Sequence, residues 1–365
     1  MKIKSFLILI ISFISFLQIP TYGSKPLKIA IIGLSHSHVH GLLGRANIGD
    51  VEIIAIVEKD IELSKRMAKD YNLPNEIFFT SSEEMLKSKM PDAVAAFGSI
   101  YDHLNVVKTF APLGIQVMVE KPLAVSLEHA KEMKKLADKN NIHLITNYET
   151  TWYPTNQLAY KMVDSAKIGE LRKLVVHDGH QGPKEIRVNK EFLDWLTDPV
   201  LNGGGAVTDF GCYGADLVTW LMKGVKPISV TAVTQTIKPE IYSKVDDEAT
   251  IILKYSKAQA IIQASWNWPI SRKDIEIYGQ SGYIICDNKF DLRYRLNERE
   301  TENRKKLTEL PKPYNDPFSF FAAMINGEIK LQPYDLSSLE TNIIVVEILD
   351  AAKLSSKTGK AVYLK

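Results

Sequence analysis

LKIAIIGLSHSHVHG, residues 27–41, decides the fold. An apolar run closes on Gly33, and a short polar stretch then leads into a helix-like segment, the pattern of a buried parallel strand turning into its crossover helix. A dinucleotide site asks for Gly-x-Gly-x-x-Gly in such a turn, so that backbone can approach the pyrophosphate at the start of the helix. Here the three positions read Gly33, Ser35 and His38. The first glycine is kept. Ser35 is small and brings a hydroxyl to the phosphates, whereas His38 is bulky where helix and strand should pack. Glu58 supports the reading: it ends the next apolar run, VEIIAIVE (51–58), where an acid binds a ribose 2′-hydroxyl and favours NAD over NADP. Lys59 beside it leaves room for the 2′-phosphate of NADP. His36, His38 and His40 should fan apart on entering the helix, so no metal site is expected. His36 and His38 are instead expected beside the cofactor phosphates.

Outward from this turn the chain alternates strand and helix. PDAVAAFG (91–98), IQVMVE (115–120) and IHLITNY (142–148) read as further strands, and SLEHAKEMKKLADKNN (126–141) as a helix. Alternation of this length predicts an α/β Rossmann domain with a doubly wound parallel sheet over residues 24–147. From residue 148 to 365 the rhythm changes to successive strands: ISVTAVTQT (228–236), DEATIILKYS (247–256), AQAIIQASWNW (258–268) and DIEIYGQSGYIICD (274–287). Several alternate apolar and polar residues, which predicts an α+β domain built on an open sheet with one solvated face. The stretch 337–356 reads as a helix.

The 365 residues suffice for two domains. A net charge of +2 gives no reason to expect nucleic acid as a partner. Two cysteines, Cys212 and Cys286, provide neither a disulfide framework nor metal-ligand spacing. At the N-terminus, Lys2 and Lys4 precede an apolar run from Ser5 to Leu17, then Pro20 and the small residues Thr21, Gly23 and Ser24. That order predicts a signal peptide over residues 1–23 and an exported, periplasmic protein. The run falls short of the roughly 20 residues of a membrane span. No twin arginine precedes it.

Two further stretches carry chemistry. In VMVEKPLA (117–124) a strand ends in Glu120 and Lys121, and Pro122 keeps Lys121 extended at the carboxyl edge of the sheet, where open α/β sheets bind ligands. In WLTDPVLNGGGAVTDFGCYGADLVTWL (195–221), Gly203, Gly204 and Gly205 precede Asp209, Gly211, Tyr213 and Asp216. The i, i+4 spacing predicts Asp209 and Tyr213 on one helical face.

Glu-Lys-Pro after a Rossmann strand, followed by Gly-Gly-Gly and Asp-x-Gly-x-Tyr, strongly resembles the Gfo/Idh/MocA oxidoreductases. The tyrosine is similar to that of the glucose–fructose oxidoreductase and dihydrodiol dehydrogenase branches. The resemblance reaches YDHL (101–104) and the closing stretches from DPFSFF onward, so it covers residues 27–365. It departs at the glycine fingerprint and at NYETTWYP (147–154), where the family often has an arginine and this chain has Thr150 and Thr151. It implies a nicotinamide dinucleotide held by Gly33, Ser35, His36, His38, Glu58, Ser99, His103, Glu120 and Lys121. It further implies an oxidoreductase acting on a CH–OH group of a sugar, polyol or glycoside.

Oxidising a hydroxyl needs a base, and Tyr213 or Lys121 fits, with Lys121 expected to draw the tyrosine pKa toward neutrality. Asp209 would orient the substrate. His180, Trp266 and Trp268 are expected against the sugar, and the open sheet of the second domain is expected to join copies of the chain. Three readings compete: a dehydrogenase, a glycoside-processing enzyme with a transient oxidation, and a sugar-binding relative without catalysis.

Overall fold

The computed structural model describes residues 25–365, so the expected signal peptide lies outside the described residues. The first sheet contains β1 (Leu27–Ile32), β2 (Val51–Val57), β3 (Phe78–Phe79), β4 (Ala93–Ala96), β5 (Gln116–Glu120) and β6 (Leu144–Asn147). All pair in parallel, in the order β3-β2-β1-β4-β5-β6. The order reverses between β1 and β4, and at such a switch point the connections diverge and leave a crevice beyond the strand ends. The central strands are apolar on both faces because both faces are covered. Ile29 and Ile31 pack in one layer with Phe318 and Phe321, while Ala30, Val94 and Val117 pack in the other with Phe110 and Met133.

Gly33 follows β1 with φ of +80°, and a Cβ there would stand 2.7 Å from the backbone nitrogen of Gly98. The chain thus needs glycine for two independent reasons, left-handed backbone and close approach of the segment after β4. The helix that follows is short, Val39–Leu43, and the stretch 36–38 before it is turn.

The second sheet contains β7 (Leu171–Gly179), β8 (Ser229–Gln235), β9 (Glu248–Lys254), β10 (Gln259–Ser265), β11 (Arg272–Gly279), β12 (Tyr283–Cys286), β13 (Asp291–Arg295), β14 (Asn303–Lys306) and β15 (Val362–Tyr363). Their order is β14-β13-β12-β11-β7-β10-β9-β8-β15, antiparallel throughout except for the β7–β10 pair. The inner face packs on the helices Gly211–Leu221 and Leu339–Thr358. The stretch 274–287 is two strands rather than one, reversed through Gly282, whose carbonyl accepts the Gly279 N–H at 2.9 Å. β7 is central to this sheet yet escapes an apolar-pattern reading, because its inward set Leu174, Val176 and Asp178 ends in a buried acid. Helix Pro317–Ile325, late in the chain, returns to the first sheet, where Phe318, Phe320 and Phe321 fill its core.

Gly33→Ala should cost about 1–3 kcal/mol from the positive φ alone, and the contact with Gly98 should add to it. Thermal unfolding should show the lowered midpoint, and nucleotide affinity should fall with it. A variant matching the wild type in both would show that the turn is not constrained as described.

Candidate active site

Two clefts adjoin at the carboxyl ends of the first sheet. One, of roughly 700 Å³, is lined by Gly33, Ser35, Glu58, Gly98, Ser99, His103 and Trp195. The other, of roughly 420 Å³, is lined by His36, Lys121, Glu149, His180, Asp209 and Tyr213, among others.

In the first cleft the glycine-turn geometry is held from several sides. Glu58 is buried and accepts the N–H groups of Leu34 at 2.8 Å and Asp60 at 3.0 Å, so its carboxylate is pinned at the end of β2. Ser35 Oγ accepts the Trp195 indole N–H at 3.0 Å. Ser99 Oγ donates to Asp102 at 2.7 Å. His103 is fully buried; its Nδ1 donates to the Leu123 carbonyl at 3.1 Å, and its Nε2 has no protein partner. Burial pushes its pKa down to about 4, so the ring is neutral and Nε2 is a bare acceptor. The cleft has the size of a ligand site. An acid at the end of β2, a serine on the glycine turn and an orphaned ring nitrogen suit a dinucleotide with its ribose at Glu58.

The histidine expectation needs correcting. Because residues 36–38 form a turn rather than helix, two of the three rings stay together instead of fanning apart. His36, His38 and Glu120 bring ligating atoms within 4.8 Å of one another, while His40 leaves to bond Tyr71 at 2.6 Å. Hydrogen bonds already link the three: His36 Nδ1 accepts the His38 backbone N–H at 3.1 Å, and His38 Nδ1 donates to Glu120 at 2.8 Å. Asn147 also donates to Glu120, at 2.7 Å. Burial holds the His36 pKa well below the usual histidine value. This cluster fixes Glu120, and with it the end of β5, where Lys121 begins.

Lys121 and Asp209 meet in the second cleft. The ammonium bonds the Asp209 carboxylate and, at 2.9 Å, its backbone carbonyl, and both side chains are buried. Burial works against both charges, but each partner overrides it for the other, so the lysine pKa stays above and the aspartate pKa below its ordinary value. The second Asp209 oxygen accepts the Trp266 indole N–H at 3.0 Å. Asp209 ends the short helix Ala206–Asp209, and Tyr213 belongs to the next helix, Gly211–Leu221. They line one cavity across a break at Phe210 rather than along one helix.

Three sequence expectations change here. Lys121 Nζ stands 5.0 Å from the Tyr213 ring centre and Lys273 Nζ 4.6 Å from it. Burial nevertheless drives the Tyr213 pKa well above its ordinary value, with Glu149 acting in the same direction, opposite to the expected shift toward neutrality. Trp266 is fully buried and holds Asp209 rather than stacking on a sugar. Trp268 lines neither cleft and instead lies 5.3 Å from the Arg272 guanidinium. His180 does line the cavity, with Nδ1 accepting the Gly182 N–H at 2.9 Å and its ring edge-on to Phe210.

Sequence reading missed several supports. Asp246 accepts the N–H groups of Gly205 at 2.9 Å and Val207 at 2.7 Å, fixing the turn that presents Asp209. Gly205 has no room for a side chain, since a Cβ would lie 1.8 Å from the Asp246 carbonyl oxygen. Lys353 bridges the carbonyls of Val125 and Gly203, both at 3.1 Å. Glu149 and Lys273 pair in the cavity wall. No local pattern announces these residues, because each acts across the fold.

Two family models match the chain. Residues 27–148 match the Gfo/Idh/MocA oxidoreductase family, NAD-binding Rossmann fold, and residues 156–285 match its C-terminal domain. Trans-1,2-dihydrobenzene-1,2-diol dehydrogenase of Xenopus tropicalis is 30% identical over 219 residues, 59% of this chain and 61% of that protein. The chain thus matches less than two thirds of that relative's length. D-xylose 1-dehydrogenase [NADP(+)] of Haloarcula marismortui is 25% identical over 354 residues, 95% of this chain and 96% of that one. Among solved structures, an inositol dehydrogenase homolog from Azotobacter vinelandii complexed with NAD+ superposes with a TM-score of 0.81 at 16% identity, covering 93% of this chain and 98% of its own. Aldose-aldose oxidoreductase from Caulobacter crescentus gives 0.79 at 20%, covering 93% and 100%. With both of its domains matched in order, and Lys121 and Asp209 joined where those domains meet, the chain belongs to the Gfo/Idh/MocA oxidoreductase family.

Proposed function

We propose that the protein interconverts an alcohol and a carbonyl on a sugar, polyol or glycoside, using a nicotinamide dinucleotide that it retains between turnovers. The observation that carries this reading is the Lys121–Asp209 pair in the wall of the second cleft. A dinucleotide bound along Gly33 and Glu58 supplies the hydride acceptor. Lys121 directs an ammonium N–H at the reacting oxygen, and Asp209 fixes where that ammonium points. In the reducing direction Lys121 gives its proton to the carbonyl oxygen as negative charge develops there. In the oxidising direction the hydroxyl proton passes to the neutral amine. Because Asp209 holds the lysine pKa above its ordinary value, oxidation gains as pH rises through the alkaline range and reduction is lost there. The retained Lys121–Asp209 geometry favours catalysis over mere sugar binding.

Residues from the second domain cross the dinucleotide cleft and support retention. Glu191, Asp194, Trp195 and Leu201 line it, Trp195 bonds Ser35, Glu191 pairs with Arg66, and the Leu201 carbonyl accepts the Tyr101 N–H at 3.0 Å. The leader-like residues 1–23 favour export to the periplasm, where free nucleotide is scarce and a retained cofactor serves a redox-neutral cycle. NAD is favoured by the Glu58 carboxylate, with NADP admitted through Lys59. Exposed Val233 and Ile252 on the open sheet suit contact with a second copy of the chain.

Lys121→Met should lower turnover by on the order of 10²–10⁴ while nucleotide still binds. Tyr213→Phe should keep the alkaline limb of the oxidation profile. If that limb disappears in Tyr213→Phe, the tyrosine is the base after all and the lysine assignment fails.

Protein purified without added nucleotide should carry NAD(H), identified by mass spectrometry after denaturation, and should turn over sugars or glycosides unaided. Trp195→Ala should release that nucleotide on desalting. Cofactor-free wild-type protein that works only with stoichiometric NAD⁺ would sink the retention reading.

A further inference from the structure

The substrate cavity runs from a buried end to an exposed mouth. Both acids that line it are already paired, Asp209 with Lys121 at the buried end and the more exposed Glu149 with Lys273. His36 and His180 line it as well, and burial depresses the pKa of each, which favours the neutral ring. At the exposed end stand Arg272 and Lys289, and the acids that accompany them, Asp274 and Glu309, are not part of the lining. The cavity wall therefore holds four cations, Lys121, Lys273, Arg272 and Lys289, against two carboxylates, Glu149 and Asp209.

The two outer cations are set up differently from surface lysines in general. Arg272 is fixed by two parallel hydrogen bonds to Asp274, from Nε and from one terminal nitrogen, each 2.8 Å long. Its guanidinium also lies 5.3 Å from the Trp268 ring centre. This leaves the other terminal nitrogen with its N–H groups unengaged by protein. Lys289 pairs with Glu309 at 2.8 Å, with both side chains a third or more exposed. Such a surface pair is worth little, so a ligand anion can draw Lys289 away from Glu309.

We infer that the substrate is an acidic sugar, whose carboxylate sits between Arg272 and Lys289 while its reacting hydroxyl faces Lys121. The inference rests on the oxidoreductase reading of the same cavity and names the substrate class within it. A carboxylate fits because its two oxygens match one guanidinium edge and one ammonium. A sugar phosphate shares the anionic chemistry and is the alternative source of the charge.

The test uses holoenzyme and matched pairs: D-glucuronate with D-glucose, D-galacturonate with D-galactose, and D-glucose 6-phosphate as the phosphate arm. Binding is read by calorimetry and turnover by the cofactor's absorbance. In at least one pair the acid should bind about tenfold more tightly than its neutral partner, the scale of one charge-assisted contact. Lys289→Gln should erase that ratio, appearing in KM rather than kcat, and added salt should narrow it. Lys289 is partly exposed, so this variant should fold, and thermal melting checks that it does. If glucose 6-phosphate alone shows the charge preference, the carboxylate assignment is overturned. Equal or tighter binding of the neutral partner in every pair overturns the inference altogether. Acid binding without any redox change would instead overturn the oxidoreductase reading and leave the charge recognition standing.

Discussion

The Lys121–Asp209 ion pair is the constraint on which the rest of the structure depends. It joins the carboxyl end of β5 in the first sheet to the helix turn that faces the second sheet. Removing two charges from water is expensive, and the mutual attraction repays it only with good geometry and further hydrogen bonds. Those bonds are present: the Asp209 carbonyl for the lysine and the Trp266 indole for the aspartate. Each flank has its own support, Asn147 and His38 holding Glu120 on one side and Asp246 holding Gly205 and Val207 on the other. A pair this costly, placed in the wall of a cleft, is better explained by chemistry than by stability.

The pair also accounts for the neighbouring aromatic groups. The Tyr213 ring has two ammonium groups within cation–π distance, and burial raises the pKa of its phenol. The tyrosine thereby lends the lysines a polarizable wall. Trp195, by contrast, works on the dinucleotide side, where it bonds Ser35 and packs with Phe192 and His36. One aromatic cluster serves the reacting oxygen and the other covers the cofactor cleft.

Much of this was legible from local pattern. The parallel strands, the glycine turn and Glu58 follow from apolar periodicity and turn spacing, because short-range geometry dictates them, while Lys121 and Asp209 stand out through the resemblance to the family's Glu-Lys-Pro and Asp-x-Gly-x-Tyr motifs. β7 was not legible, since the buried Asp178 interrupts its inward apolar set. Trp266 was misread because composition marks a tryptophan as sugar-stacking or core, and only the fold shows its indole N–H spent on Asp209. The convergence of His36 and His38 was missed because the helix begins only at Val39, so both rings leave from the turn before it. Asp246, Lys353 and Glu149 act over long sequence separations, where spacing carries no information.

The most direct test of the central claim is the pH dependence of the oxidation half-reaction in single turnover, compared between wild type and Asp209→Asn. The aspartate carboxylate is what holds the Lys121 pKa up against burial. Without it, desolvation wins, and the alkaline limb should move to lower pH by about one unit or more, with the folded state confirmed by circular dichroism. A limb that stays in place in Asp209→Asn would mean that Lys121 is not the titrating group, and the account of the site would be wrong.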